Sequence, residues 1–376
     1  ALTEAMETQY TRQRPPKPFW WTYGVQRGGV EVTETPQGDR PVPVLAGRGL
    51  AVAWPGEIAG YVDLSAVARR PNGKLSLWGN EKWPDRYIAV NNIGLSPTAS
   101  LVNPIDTGKG LLTPTALDTL IVSVPKEGLG EAVAAYLNSS LARWYWAVRL
   151  RSGVIQGYYA HIYPRTLEAL PWPREPREDL LGELSALYRD LEDQARESRD
   201  NPSEWFLREV ENRIDRGNAL PLSAPLFGLD FRKWQDQVPR ADLHVEGTVL
   251  KGSLHAELDL QDPDLARFVH LLLGLLEAET VSSEALQKLL VPRDYRDLLG
   301  EYDKREQAFS GVRKRFTATL EAVDQAVFDL FGLTPEERAH VKDRLASFPL
   351  NRLRPRYPWE VDEPRPLRAY TEDRFR

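Results

Sequence analysis

"YLNSSLARWYWAVRLRSGVIQGYY", residues 136–159, joins a helical apolar spacing to an abrupt change of character. Leu129, Val133, Leu137, Leu141, Trp144 and Val148 recur at three- and four-residue intervals, which predicts one long amphipathic helix. The tryptophans of this helix suit a packed face, and Trp144 is expected in the core. Beyond Arg149 the text turns to Arg151, Gly153, Gln156, Gly157, Tyr158 and Tyr159, the composition of a basic and aromatic surface loop. The preceding residues, from Phe19 to about Pro125, read as strands between irregular loops: "PVPVLAGRGLAVAW", "GYVDL", "RYIAVNNIGL" and "DTLIVSV" are short apolar runs separated by glycine and proline.

After the paired prolines Pro171 and Pro173 the chain becomes helical and acidic. "EDLLGELSALYRDLEDQARE" alternates apolar and charged positions at helical spacing. "DLHVEGTVLKGSLHAELDL" reads as a β-hairpin turning at Lys251–Gly252. Val312, Phe316, Leu320, Val323, Val327 and Leu330 form a later helical stripe. It ends at Gly332, and Thr334, Pro335 and Glu337 have the spacing of a capping box for the next helix. The expected fold class is therefore α+β, with a mixed-sheet domain carrying the long helix, followed by a mostly α-helical domain with one hairpin. The boundaries are a proline-rich basic arm at 1–18, the first domain at 19–173, the helical domain at 174–350 with its hairpin near 242–260, and an extended tail at 351–376.

Of the 376 residues, 42% are hydrophobic and 27% charged, as in ordinary globular proteins. No apolar run approaches the roughly 18 residues that a membrane helix needs, so no membrane association is expected. No cysteine occurs, which removes disulfides, thiolate metal sites and cysteine nucleophiles. With no charged-then-apolar leader at the start, a cytoplasmic location is expected. The net charge of −6 is unevenly spread: residues 1–173 carry a small excess of Lys and Arg, and the remainder an excess of Asp and Glu. A basic binding surface beside an acidic helical body fits that division.

Catalytic patterns are missing. There is no glycine-rich dinucleotide fingerprint and no Gly-Lys-Ser/Thr phosphate loop. No Glu-x-Lys tripeptide of the metal-dependent nuclease type occurs. His161, His244, His255, His270 and His340 lack ligand spacing, so no metal site is expected. "NPID" at 103–106 lacks the second proline and the aromatic residue with which an amino-methylating enzyme holds its target base. No catalytic residue is assigned on this chain, and Asp262/Asp264 and Asp324/Asp329 read as capping or surface carboxylates.

Several stretches, taken in order, resemble the target-recognition and C-terminal region of type IIG restriction–modification enzymes and adenine-specific DNA methyltransferases. They are Leu137-Asn138-Ser139, the aromatic run Trp144 to Trp146, the loop Ser152 to Tyr159, and Pro171-Trp172-Pro173. Upstream, "YGVQRGG" (23–29) is similar to the glycine turn that opens such domains, and "PVLAGRGLAVAW" to their Val-Leu-x-Gly-basic strand with Arg48 in the basic slot. Downstream, "LEAVDQAVFDLFGLTPEE" resembles the family's C-terminal helix and glycine turn. The likeness covers residues 19–173 and about 312–340. It implies sequence-specific recognition of double-stranded DNA in a restriction–modification or phage-defence system. The partner would be a methyltransferase or nuclease domain or subunit lying outside these residues, where S-adenosylmethionine would bind; this chain itself is expected to hold no cofactor. A fragment, a separate specificity subunit and a degenerate relative all fit that pattern.

If 19–173 reads DNA, phosphate contacts position it and base-edge contacts choose the sequence. Arg and Lys match guanine O6/N7, and Asn and Gln match adenine N6/N7. On those grounds the candidates are Arg48, Lys82, Arg86, Asn91, Asn92, Lys109, Arg151, Gln156, Tyr158 and Arg165. The alternative function is a protein-interaction scaffold in a bacterial defence complex.

Overall fold

The structure, a computed structural model, describes residues 21–24, 31–39, 41–63, 65, 85–94, 96–108, 110–117, 119–150, 160–198, 201–234, 237–347, 355–360 and 365–375. It mixes helices with small sheets and divides into two compact units: residues 1–199 with 314–360, and residues 200–313 with 361–376. This division does not follow the sequence boundary at Pro173. Among the described residues, no helix is long and apolar enough to cross a membrane.

In the first unit the strands are β1 (Trp21–Tyr23), β2 (Pro41–Leu45), β3 (Ile58–Asp63), β4 (Tyr87–Asn91), β5 (Ile93–Gly94), β6 (Ala99–Val102), β7 (Ile105–Asp106), β8 (Leu111–Leu112), β9 (Thr115–Ala116), β10 (Leu120–Ser123) and β11 (Ala160–His161). The main sheet is antiparallel in the order β1-β10-β4-β6. Its registers place Ile121 opposite Val90 and Ile88 opposite Leu101. Because side chains alternate across a strand, Ile88, Val90, Ala99, Leu101 and Ile121 pack into one core. Tyr87, Ala89, Val102, Leu120 and Val122 pack into another with Leu45 and Leu50. Both faces are covered, which is why "YIAV" is apolar without alternation. A second sheet, β3-β2-β9, pairs β2 antiparallel with β3 and parallel with β9.

The glycines of the two family-like turns serve close packing. A Cβ on Gly24 would lie 2.2 Å from the carbonyl oxygen of Leu117, and one on Gly47 would lie 2.6 Å from that of Thr119. Both obstacles are backbone, so a side chain cannot be admitted by a rotamer change. Gly24→Ala is expected to cost about 1–3 kcal/mol, the range for overpacking, read as a lower unfolding midpoint in urea; an unchanged midpoint would refute the close approach.

Beyond the sheet, helix α1 (Gly130–Asn138) is followed by α2 (Ser140–Tyr145) and a π-helical turn at Trp146–Leu150. The single long helix expected from the spacing is thus interrupted at Ser139, whose backbone is extended (φ −74°, ψ 158°). The cause is local. The Ser139 hydroxyl accepts from Ala142 N and caps α2, while the Asn138 amide bonds to both backbone groups of Ala99 at 2.9 Å. Asn and Ser side chains compete with the helical ladder in this way. Helices α3 (Pro164–Glu168) and α4 (Glu178–Glu197) follow, and α4 lies in this same unit.

The second unit holds α5 (Pro202–Asp215), α6 (Pro263–Leu275), α7 (Ser283–Lys288) and the first part of α8 (Tyr295–Leu330). The expected hairpin is a three-stranded meander of β14 (His244–Glu246), β15 (Val249–Lys251) and β16 (Glu257–Asp259), after the short strands β12 (Ala219–Pro221) and β13 (Val238–Pro239). It has two turns, the first at Gly247 (φ 62°), where Val245 pairs with Leu250. The second leaves β15 at Lys251–Gly252, where Lys251 pairs with Glu257, so the expected turn is the second and the first is additional to it. Residues 367–370 and 372–375 coil into short 3-10 turns, so this part of the tail is not extended. Arg365 holds Glu204 and Glu211 there, and Tyr370 is fully buried.

The stripe on α8 and its termination match expectation closely. Phe316, Val323 and Val327 are fully buried in the first unit. Gly332 takes φ 63°, and Leu333 N donates to Phe328 O. Thr334 and Glu337 exchange both capping-box hydrogen bonds at the start of α9 (Pro335–Ala346).

Candidate functional site

The aromatic run that precedes the basic loop belongs to the core. Trp144, Tyr145 and Trp146 are all buried, and Trp144 meets His340 edge-on at 6.2 Å. What holds this segment in place is a buried polar cluster. Asp324, on α8, accepts from Ser140 N at 2.6 Å and from the Ser140 hydroxyl. Arg143 donates to Asn138 O and, at 3.0 Å, to Ser140 Oγ. Burial pulls the Arg143 guanidinium below its ordinary value, while the Asp324 carboxylate pushes it back. The Leu-Asn-Ser turn and the C-terminal helix, two separate parts of the family resemblance, therefore meet through one charged contact. Asp324 is a structural carboxylate, and Asp262 caps α6 by accepting from Asp264 N at 2.9 Å. No group of residues among those described could hold a metal ion.

The loop candidates leave from this braced segment. On its return the chain enters β11, which pairs with β5, and Ile162 N donates to Asn92 O at 2.8 Å. Asn92 in turn donates from its backbone N to Thr119 O, tying the return to the main sheet. Ile162 is buried beneath, so the alternation of an extended strand puts His161 and Tyr163 on the other side. The two rings stack at 5.9 Å and 28°. The guanidinium of Arg165, exposed on α3, lies 5.5 Å from the centre of the Tyr163 ring. Thr166 fixes Tyr163 by accepting from its N at 3.1 Å and donating to its O at 2.7 Å. His161, Tyr163 and Arg165 thus form a surface column of two rings and a cation at the exit of the loop.

The other candidates are placed differently. Asn91 spends its amide on the turn, donating to Ile93 O and Ser96 O and accepting from Thr98 N at 2.7 Å. It shapes the rim that β11 joins and is engaged there. Arg86 donates to Asn103 Oδ1 at 2.7 Å and to Glu131 at 2.9 Å. Arg48 falls in the 3-10 turn Gly47–Gly49, with its side chain outside the described set. Lys82, Lys109, Arg151, Gln156 and Tyr158 lie outside the described residues. Sequence reasoning named Arg165 but missed His161 and Tyr163. The signal was present: "HIYPR" alternates polar and apolar residues at period two.

Compared with models of known protein families and with curated protein sequences, the chain matches none.

Proposed function

We propose that this chain is a sequence-specific reader of double-stranded DNA, working as the recognition part of a restriction–modification or phage-defence adenine methyltransferase. Methylation or cleavage would be carried out by a partner domain or subunit that holds S-adenosylmethionine. The observation that carries the reading is the construction around residues 151–159. A basic-aromatic segment leaves a helix braced by buried charges and returns through a strand stitched to the sheet, beside the column of exposed His161, half-buried Tyr163 and exposed Arg165. Rigid supports on both sides hold contacting groups in register, as base reading requires.

In this arrangement Arg165 contacts a phosphate, and Gln156 and Arg151 read base edges. Different losses follow. Arg165→Ala weakens binding to all sequences alike and lowers the slope of log affinity against log salt by about one. Gln156→Ala costs about 1–3 kcal/mol and relaxes preference at one position. Fluorescence anisotropy with a selected duplex and a scrambled one separates the two. Unchanged affinity in both variants would remove the loop and its flanking column from the interface.

A further inference from the structure

A cavity of about 390 Å³ opens in the first unit, and His161, Tyr163 and Arg165 are not among its lining residues. That volume falls in the range of small-molecule sites, about 300–1,000 Å³. Most of its lining comes from the approach to β3, the chain leaving β6 and one face of α4, with Leu45 at the end of β2 and Pro114 completing it. Trp54, Leu101, Pro104 and Ile105 give it apolar walls; Asn103 and Glu192 are its neutral and buried acidic polar groups, and one further acid, Glu57, and one base, Arg196, also line it. Glu192 is only 9% exposed. Among the described residues its one hydrogen bond is a long contact of 3.4 Å from Asn103 Nδ2. The Asn103 amide is oriented from behind, because Arg86 donates to its Oδ1 at 2.7 Å and is itself anchored on Glu131. The cavity therefore presents, side by side, a carboxylate short of donors and an amide N–H.

The charges around Glu192 nearly balance. Arg196 and Arg86 oppose its burial, while Glu131 and Asp193 act against them, and each of these acids is paired with an arginine. A cationic ligand is not called for; a neutral planar ligand with adjacent donors is. We propose that this cavity binds a guanine-type heterocycle, whose neighbouring N–H and NH₂ groups meet the Glu192 carboxylate while its carbonyl accepts from Asn103 Nδ2. Adenine presents a single donor group on the matching edge and leaves half the carboxylate unmet. A buried polar group left unpaired is what makes such sites discriminate strongly. Burial holds the Glu192 carboxyl above its ordinary value, consistent with a carboxylate that lacks donors. The inference does not depend on the DNA reading, since the probe is a free nucleoside.

Isothermal calorimetry of the full chain with guanosine, inosine and adenosine tests it. Guanosine should bind saturably and about tenfold or more tighter than inosine, which lacks the NH₂ group, and than adenosine. Glu192→Gln, near-isosteric and checked for folding by circular dichroism, should lose that preference, and Asn103→Ala should weaken guanosine binding. Absence of saturable guanosine binding overturns the proposal. So does equal affinity for inosine on the unaltered chain, an outcome that needs no variant to fold.

Discussion

Asp324→Ala is expected to destabilise the chain by about 3–5 kcal/mol, the cost of removing one partner from a buried charged contact. Asp324 and Arg143 are 7% and 6% exposed, and Ser140 lies between them. Without the carboxylate, Ser140 N loses its acceptor and the Arg143 guanidinium is left inside with only Asn138 O and a hydroxyl. Asp324→Asn keeps an acceptor for Ser140 and should cost less. Replacing both charges, as Asp324→Leu with Arg143→Met, should recover part of the loss, because no charge is then left buried, although Ser140 N still lacks its acceptor. Urea unfolding followed by circular dichroism gives all three values. A cost below about 1 kcal/mol for Asp324→Ala would mean that the contact does not brace the helix and its loop.

Phe206→Ala should cost about as much in the second unit, roughly 3–5 kcal/mol for a buried phenylalanine. Asn201 caps α5 by accepting from Ser203 N, and Pro202 occupies the first helical position, which sets Phe206, Leu207, Val210 and Ile214 on the inner face. The Phe206 ring is fully buried, 5.4 Å from both Phe268 and Tyr302. Truncation removes contacts to two rings at once and opens a cavity between helices that cannot easily close. Phe206→Leu preserves most of the volume and should cost under about 1.5 kcal/mol. Equal midpoints for the wild type and Phe206→Ala in the same unfolding experiment would contradict this packing.

Where local chemistry and tertiary packing agree, the sequence was readable. The end of α8 shows this: an apolar stripe, a glycine free to adopt φ 63° and a Thr-Pro-x-Glu cap predict the same boundary that the structure has. Apolar runs such as "YIAV" read as strands, although their burial on both faces follows from a second sheet that no local pattern reveals. The break at Ser139 was hidden because Leu137 and Leu141 keep helical spacing across it. Only the distant Ala99 backbone, bound by Asn138, shows why the helix stops. The meander was read in part. "VEGTVLKGS" offers two glycines and both stand at turns, Gly247 in the first and Gly252 in the second, where a Cβ would lie 2.3 Å from Val238 Cγ1; reading a single turn hid the third strand.

For the candidate site, residue type identified cations and amides but not their commitments. Asn91 and Arg86 looked available and are engaged in the turn and the Glu131 contact. His161 and Tyr163 looked ordinary and form a column with Arg165 in which the tyrosine is half-buried and the other two are exposed. Spacing at period two was the readable cue, and a search confined to arginine, lysine and amides passed over it.

DNA recognition by this chain is tested most directly by its binding to a randomised duplex pool across a salt series, with bound sequences recovered. A linear fall of log affinity with log salt, together with enrichment of a single motif, is the expected result. Weak binding at every salt concentration with no enriched sequence would contradict it.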